Sequence, residues 1–553
     1  MEQLRGLIAA RVKELFGVDA DVQLTRPDEK FGDFATNAAL QLAKQTGRNP
    51  REVAGAIVAG LEHADIASAE VAGPGFINLS LSDAALLELI NTAPAKPLAG
   101  QTVVAEYSDP NPFKVLHAGH LYTSIIGDAI ANLLQNAGAS VHRVNFGGDV
   151  GLHVGRAMWA IIRELGGEHP EKLDSVEPGK RLDWVSERYV EGSAAYEEDE
   201  TAKQQITGYN QRVYRLHEDS DHESAFAQIY WTCRQWSYDG FDAMYQRLGM
   251  VPFEKYYPES QTTPVGVSTV RAGLDRGILE HSDGAVVFRG EDRGLHTRVF
   301  LTSQGLPTYE AKDLGLAISK WNDYHFDKSI MITGNDIVEY MKVVMAVLHH
   351  FYPEITGRTS HLTHGMIRLA GGAKMSSRKG SILRAADVLD AAAEANRAIS
   401  GKDQHGTALG AVKYAFLKQR IGGDIVYDPA ESVALEGNSG PYLQYAHARA
   451  CSILRKADGA ELKLAGGLQP GERSLARKIG EFNEVVAQAT DELMPHHIAA
   501  YLYELAQNFN RFYETNRVIG DERASQRLGL VAAYAYILKQ GLNLLGINAP
   551  EVM

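Results

Sequence analysis

The chain has 553 residues, 45% hydrophobic and 22% charged, a composition that buries large cores and excludes a disordered chain. At ~150 residues per domain, three or four domains are expected, and no apolar run approaches the ~20 residues needed to span a bilayer. The formal net charge of −14 argues against a nucleic-acid partner at first sight, and only two cysteines, Cys233 and Cys451, leave no disulfide framework or cysteine-rich zinc site.

The charge is unevenly spread. Residues 161–230 carry 16 Asp+Glu against 8 Lys+Arg, whereas residues 430–553 carry 14 against 12, close to neutral. RNA binding is therefore open, because phosphate contacts need only a local basic face. The N-terminus alternates charge and apolar residues at helical spacing and lacks the apolar core of a secretory signal, so a reducing, cytoplasmic location is expected.

In chain order, Leu4, Leu7, Ile8, Val12 and Leu15 share one face of a predicted helix, followed by a strand-like Asp21–Leu24 and two further helical stretches. A turn at Ala72-Gly73-Pro74-Gly75 precedes a strand, Phe76–Leu79, and Pro94 and Pro97 mark a linker. Thr102–Tyr107 is a short apolar run suited to a buried parallel strand. A proline-broken loop, Ser108 to Pro112, leads into a helix from about His117 to Gln135, and Val141–Asn145 is the next strand. Strand, loop, helix and strand make the βαβ unit of a doubly wound sheet. The acidic 161–230 region is helical and inserted. Strand signals return at Ala285–Phe288 and Ser329–Thr333, and from about 430 the pattern is almost wholly helical.

Two strings carry chemistry. His117-Ala118-Gly119-His120 falls where the helix begins, at the carboxyl ends of parallel strands, with unpaired N–H groups and a positive dipole end for phosphates. The histidines at i and i+3 share a face, and Gly119 leaves room for a nucleotide ring; alone, such a pair more often caps a helix or sits at a surface. Lys374-Met375-Ser376-Ser377-Arg378-Lys379-Gly380 follows a glycine-rich Ala370–Ala373. Its cations and small hydroxyls suit a triphosphate transition state, although in isolation it is also a solvated basic loop.

Together, in this order and at this separation, the strings resemble the His-x-Gly-His and Lys-Met-Ser-Lys-Ser signatures of class I aminoacyl-tRNA synthetases. Longer strings resemble the arginyl family: Glu106-Tyr107-Ser108-Asp109-Pro110-Asn111 running into Lys114 and the histidines, Gly410–Ala415, Glu436–Ala446, Gly541–Ile547, Phe31–Asn37 and Ala72–Asn78. The resemblance implies an α/β fold: a class I Rossmann-type parallel-sheet catalytic domain with a helical insertion, a small α/β N-terminal domain and an all-α anticodon-binding bundle. The expected domains are residues 1–95 (contacting the tRNA elbow), 96–365 (catalytic, with an insertion at about 155–260), 366–428 (a linker carrying the Lys-Met-Ser-Ser loop) and 429–553 (anticodon-binding).

A guanidinium with five donors needs carboxylates in fork geometry, and a buried cation must be paired. By resemblance, Glu106, Asn111, Tyr309 and Asp313 match arginine-holding positions. Asp336 aligns where the family commonly has glutamine. A lysine normally follows Met-Ser in the loop, but Ser377 stands there, and Lys114 matches a lysine thought to compensate. His117, His120, Lys114 and Lys374 are thus the expected catalytic groups, with Gly119, Gly365, Met366, Ile367, Met375 and Ser376 completing the ATP site; Gly365 to Ile367 align with backbone that pairs with adenine. Asn145–Gly151 resembles a family glycine stretch, with Val150 in place of tryptophan.

The implied reaction uses ATP with Mg²⁺ to form arginyl-adenylate and then arginyl-tRNA, with no editing domain. Expected tRNA contacts are Phe34 and Asn37 near the front, and Tyr442, Tyr445 and Arg449 in the bundle, where Tyr501 and Phe509 are core. A monomer with no membrane or DNA partner is expected. Three alternatives stand beside this reading: another class I synthetase, disfavoured by the acidic pocket and the missing zinc ligands; an inactive tRNA-binding paralogue, disfavoured by the presence of both motifs; and a tRNA-independent nucleotidyltransferase, which would lack the helical C-terminal domain.

Overall fold

A computed structural model describes residues 2–370, 383–402 and 404–553. At the N-terminus the amphipathic helix Glu2–Phe16 buries Leu4, Ile8 and Val12. With helices Ala38–Thr46 and Pro50–Val58 it covers a three-stranded antiparallel sheet, in which Phe76–Leu81 is flanked by Phe34–Thr36 and Ile66–Ala72. The strand expected at Asp21–Leu24 does not form. Val22 and Leu24 do point into the core, but only Thr25 pairs, in an isolated bridge to Ala35, and Pro27, lacking an N–H, follows at once.

The middle of the chain builds one parallel sheet from β1 (Thr102–Glu106), β2 (Ser140–Gly147), β3 (Lys255–Pro258), β4 (Lys328–Gly334) and β5 (Thr359–His364), in the order β5-β4-β1-β2-β3. All four pairings are parallel, with Val103 flanked by Val141 and Lys328. Helix α1 (Ala118–Asn136) crosses from β1 to β2 and is buried along most of its length. The strand order reverses between β1 and β4, so a crevice opens at their carboxyl ends. The β2-to-β3 crossover holds the insertion, including helices Leu152–Glu164, Arg181–Glu198, Glu200–Glu218 and Ala225–Arg247. The Ala285–Phe288 strand belongs to a separate antiparallel sheet with Glu280–Ser282 and Arg298–Leu301.

Helices α2 (Glu259–Asp275) and α3 (Tyr309–Tyr324) cross backbone against backbone. A Cβ on Gly266 would lie 1.8 Å from the Ala311 carbonyl oxygen, and one on Gly315 2.0 Å from that of Thr262. Only glycine permits this approach, and it brings the first turns of both helices to the crevice.

After the sheet come helices Ala385–Ser400 and His405–Leu417, then a bundle of Gly440–Lys456, Pro470–Gly480, Phe482–Asp491, His496–Thr515 and Ala524–Leu544. Tyr501 and Phe509 lie in its core, the latter stacked on Tyr534 at 3.9 Å. The N-terminal unit docks on the bundle by ion pairs: Arg473 reaches Asp33 at 2.6 Å and Asp83 at 2.7 Å, and Arg26 reaches Glu484 at 2.7 Å. Among the described residues no helix is long and apolar enough to cross a membrane.

Candidate active site

The loop leaving β1 carries unusual backbone strain. Ser108, Asp109 and Phe113 have φ of 75°, 50° and 68°, a region costly for residues with a Cβ. Each end is tied down. The Asp109 Oδ1 accepts the Phe146 N–H at 2.8 Å, the Asn111 Oδ1 accepts the Gly148 N–H at 2.8 Å, and the Phe113 N–H donates to Ser237 Oγ at 3.0 Å. A Cβ on Gly148 would lie 2.6 Å from Asn111 Oδ1, so the glycine stretch after β2 is a close backbone approach. Val150 instead is buried in the core of the insertion.

The loop delivers His117 to the start of α1. Its Nδ1 accepts the N–H groups of Gly119 at 3.0 Å and His120 at 3.3 Å, while the His117 N–H donates back to His120 Nδ1 at 3.3 Å. This is a reciprocal capping box made from imidazoles, with the rings stacked at 3.7 Å. The expected ligand groups are thus the helix cap itself. Because both Nδ1 atoms accept, the neutral rings are Nε2–H tautomers, and both Nε2–H donors remain for a ligand. Burial, and then the nearby Lys114, lower the pKa of His117; burial, then His117 and Lys114, lower that of His120 well below 6.5. Both rings are thus neutral donors at pH 7. The Lys114 ammonium lies 4.5 Å from the centroid of the Tyr189 ring.

On the other side of the strand end lies an acidic pocket. Glu106 is buried and ion-paired with Lys320 of α3. Glu259, first residue of α2, is ion-paired with Lys312 at 2.5 Å, both almost fully buried. Asp109 and Asp313 have no cation at salt-bridge distance among the described residues. Burial, and then the charge of Glu106, raise the pKa of each well above 3.8, and Glu259 adds to the effect on Asp313. Tyr309 opens α3, 61% exposed as a residue, with the Lys312 Nζ 5.2 Å from its ring centroid. Glu259, Lys312 and Lys320 escape sequence reasoning: an acid following Pro258 reads as a helix start, and lysines in a helix read as solvent-facing.

This geometry sets a helix start with two neutral N–H donors beside a pocket of buried carboxyl groups, and comparisons with known proteins give the family. Residues 84–426 match the catalytic domain of class I tRNA synthetases of the arginine type, residues 2–81 the arginyl tRNA synthetase N-terminal domain, and residues 443–553 the DALR anticodon binding domain. An arginine–tRNA ligase of Porphyromonas gingivalis is 30% identical over the whole of both chains. The chain belongs to the arginyl-tRNA synthetase family. Among solved structures, the arginyl-tRNA synthetase of Thermus thermophilus matches with a TM-score of 0.81 and 26% identity over all of both chains. A methionyl-tRNA synthetase of Mycobacterium tuberculosis, at TM-score 0.52 and 14% identity over 81% of this chain and 91% of its own, shares the class I fold alone.

Against the arginyl-family pattern, Glu106, Asp313 and Tyr309 come together, with Asn111 beside them on the loop. Asp336 does not join them. It is exposed just beyond β4, and its charge acts on His117 and His364. The backbone at Met366 is already engaged: its N–H donates to Asp424 Oδ1 at 2.9 Å and its carbonyl accepts the Ile425 N–H at 2.8 Å, so adenine pairing through the N–H would compete with Asp424, whereas the carbonyl keeps a second lone pair. Ile367 pairs with Ile425, and Gly365 presses on Gly423 so closely that a Cβ would lie 2.4 Å from its carbonyl carbon. Lys374, Met375 and Ser376 lie outside the described residues. Residues 383–385 pair with the backbone on either side of His117, the Ala118 N–H donating to Leu383 O at 2.8 Å and the Ala385 N–H to Leu116 O at 2.9 Å.

Of the tRNA candidates, Phe34 is corrected. It is 1% exposed, packed in the N-terminal core with the Arg26 guanidinium 4.2 Å above its ring, and cannot stack on RNA. Asn37 is exposed, its Oδ1 accepting from Gln41 Nε2 at 3.2 Å. Tyr442, Tyr445 and Arg449 line one face of the helix Gly440–Lys456. The Tyr442 hydroxyl accepts from Asn510 Nδ2 at 2.9 Å, Arg449 lies 4.7 Å from the Tyr513 centroid, and Tyr445 is 48% exposed.

Proposed function

We propose that the chain is an arginine–tRNA ligase that forms arginyl-adenylate from arginine and ATP and then transfers the arginyl group to its tRNA. The observation that carries this is the charge count of the pocket. Four carboxyl groups, Glu106, Asp109, Glu259 and Asp313, face two ammoniums, Lys312 and Lys320, so two of the four (4 − 2), Asp109 and Asp313, have no cation of their own, and burial beside Glu106 favours their protonated forms until positive charges arrive. A guanidinium and an α-ammonium supply two such charges, and a buried surplus of like charge is costly until paired. Tyr309 would close over the alkyl stem, and Asn111 would border the amino group.

With its cationic groups held there, the substrate carboxylate is directed toward α1. In the first step a carboxylate oxygen attacks the α-phosphorus of ATP, the bond to the β-phosphate bridging oxygen breaks, and pyrophosphate leaves. His117 and His120 would donate Nε2–H bonds to phosphate oxygens, and Lys114, with Lys374, would stabilise the developing charge. In the second step a hydroxyl of the tRNA's terminal ribose attacks the activated carbonyl and AMP leaves. No protein group acts as nucleophile.

Mg²⁺ suits the triphosphate oxygens as a hard cation, and it is assigned here to the nucleotide. No group of three His, Cys, Asp or Glu side chains suited to a metal occurs among the described residues. Tyr442, Tyr445 and Arg449 would meet anticodon bases and phosphates, and Asn37 the tRNA elbow. The protein would act in the cytosol as a monomer.

The deciding experiment is pyrophosphate exchange with each of the standard amino acids, with and without tRNA. Exchange with arginine alone, appearing when tRNA is added, is expected. Exchange with another amino acid and never with arginine would refute the assignment.

A further inference from the structure

The acidic insertion, which the reaction above leaves without a role, touches the phosphate-binding segments through one helix face. On Arg181–Glu198, residues three apart are surface neighbours, and Asp183, Ser186 and Tyr189 follow one another across one broad side of the helix. Asp183 Oδ1 accepts from Arg384 Nη2 at 2.7 Å, immediately after the segment that contains Lys374. Ser186 Oγ accepts the Val115 N–H at 3.2 Å, and the Tyr189 ring lies under the Lys114 ammonium at 4.5 Å. The helix has little freedom to retreat. Val185 is fully buried in the core of the insertion, and a Cβ on Gly192 would lie 2.0 Å from the Arg156 carbonyl oxygen, so the helix is pressed backbone to backbone on Leu152–Glu164.

Resting on the role of Lys114 given above, we infer that Tyr189 is a positioning residue for Lys114, and that the insertion supplies it. A lysine on a four-carbon stem samples many positions, and its value in a transition state depends on being in place beforehand. A carboxylate partner would hold it but would compete with phosphate for the charge. An aromatic face holds an ammonium through its quadrupole and leaves the cation its full charge. Ser186 fixes the backbone at the next residue, so the stem of Lys114 and its tip are set by the same helix.

The test is arginine-dependent pyrophosphate exchange by the full chain with tRNA, comparing Lys114→Ala, Tyr189→Ala, Tyr189→Phe and the double variant Lys114→Ala/Tyr189→Ala. Val190→Ala, on the exposed side of the same helix, serves as the control. Tyr189→Ala should lower kcat about tenfold with the KM for arginine unchanged, whereas Tyr189→Phe, which keeps the ring face but loses the hydroxyl that also interacts with Lys114, should lose less than Tyr189→Ala. In the Lys114→Ala background, Tyr189→Ala should have no further effect. If Lys114→Ala is impaired but Tyr189→Ala is unchanged or faster, or if the two losses multiply in the double variant, the inference is overturned and the role of Lys114 stands. If Lys114→Ala is itself unimpaired, the role of Lys114 falls, and this inference with it.

Discussion

Asp313 is the residue on which substrate charge should register most directly. Its carboxyl is buried beside Glu106 and Glu259, and its pKa lies well above 3.8. For a carboxyl raised on folding, the favourable contribution is complete below the unfolded value and is lost as pH rises through the folded value. Without arginine, stability should therefore decline with pH over that window, and arginine should bind more tightly and release protons there. Calorimetry in buffers of different ionisation enthalpy should show this release, and Asp313→Asn should remove much of it. The same variant should raise the KM for arginine about 10- to 100-fold, the range for a lost hydrogen bond to a charged group. An unchanged KM would take Asp313 out of the pocket.

At the next scale, the pocket is the product of two helices held apart by nothing but backbone. Gly315→Ala places a methyl group 2.0 Å from the Thr262 carbonyl oxygen, so α2 and α3 must separate. A loss of roughly 1–3 kcal/mol in denaturant unfolding is expected. The KM for arginine should rise while that for ATP changes little, because the histidines stand on a different helix. Elements of this kind divide by how much of their context is local. The β1 strand and α1 are legible as an apolar run followed by a helical period, and the histidine motif with them. The strands Ile66–Ala72 and Lys255–Pro258 are not, since both lie at sheet edges, where a short, half-exposed strand has no strong pattern. Glu106 is legible because it opens a family string, whereas Asp313 is reached only as a position matched by resemblance. Glu259 and Lys320 acquire their meaning only when crossovers bring them to the end of β1, and Phe34 was misassigned because nothing in its string tells a core aromatic from a stacking one.

Over the whole molecule, the N-terminal unit and the bundle are joined through buried charge. Asp33 is only 2% exposed and has Arg473 at 2.6 Å. Arg473→Ala would leave that carboxylate without its closest partner, a change expected to cost about 3–5 kcal/mol. Hydrogen exchange should quicken across residues 2–81 while the central sheet keeps its protection. If the two units cooperate on one RNA, the KM for tRNA should rise in the same variant with the KM for arginine little altered. Uniform exchange in both proteins would mean that the ion pairs do not hold the units together.

At the head of α1, each imidazole lone pair that receives a backbone hydrogen is also the site where a proton would add. Acid and the first helical turn therefore compete for one orbital on each ring. Souring the solution should fray that turn and discharge the nucleotide grip in a single event, so ATP affinity and the protection of the Gly119 and His120 amides should fall together along one titration curve.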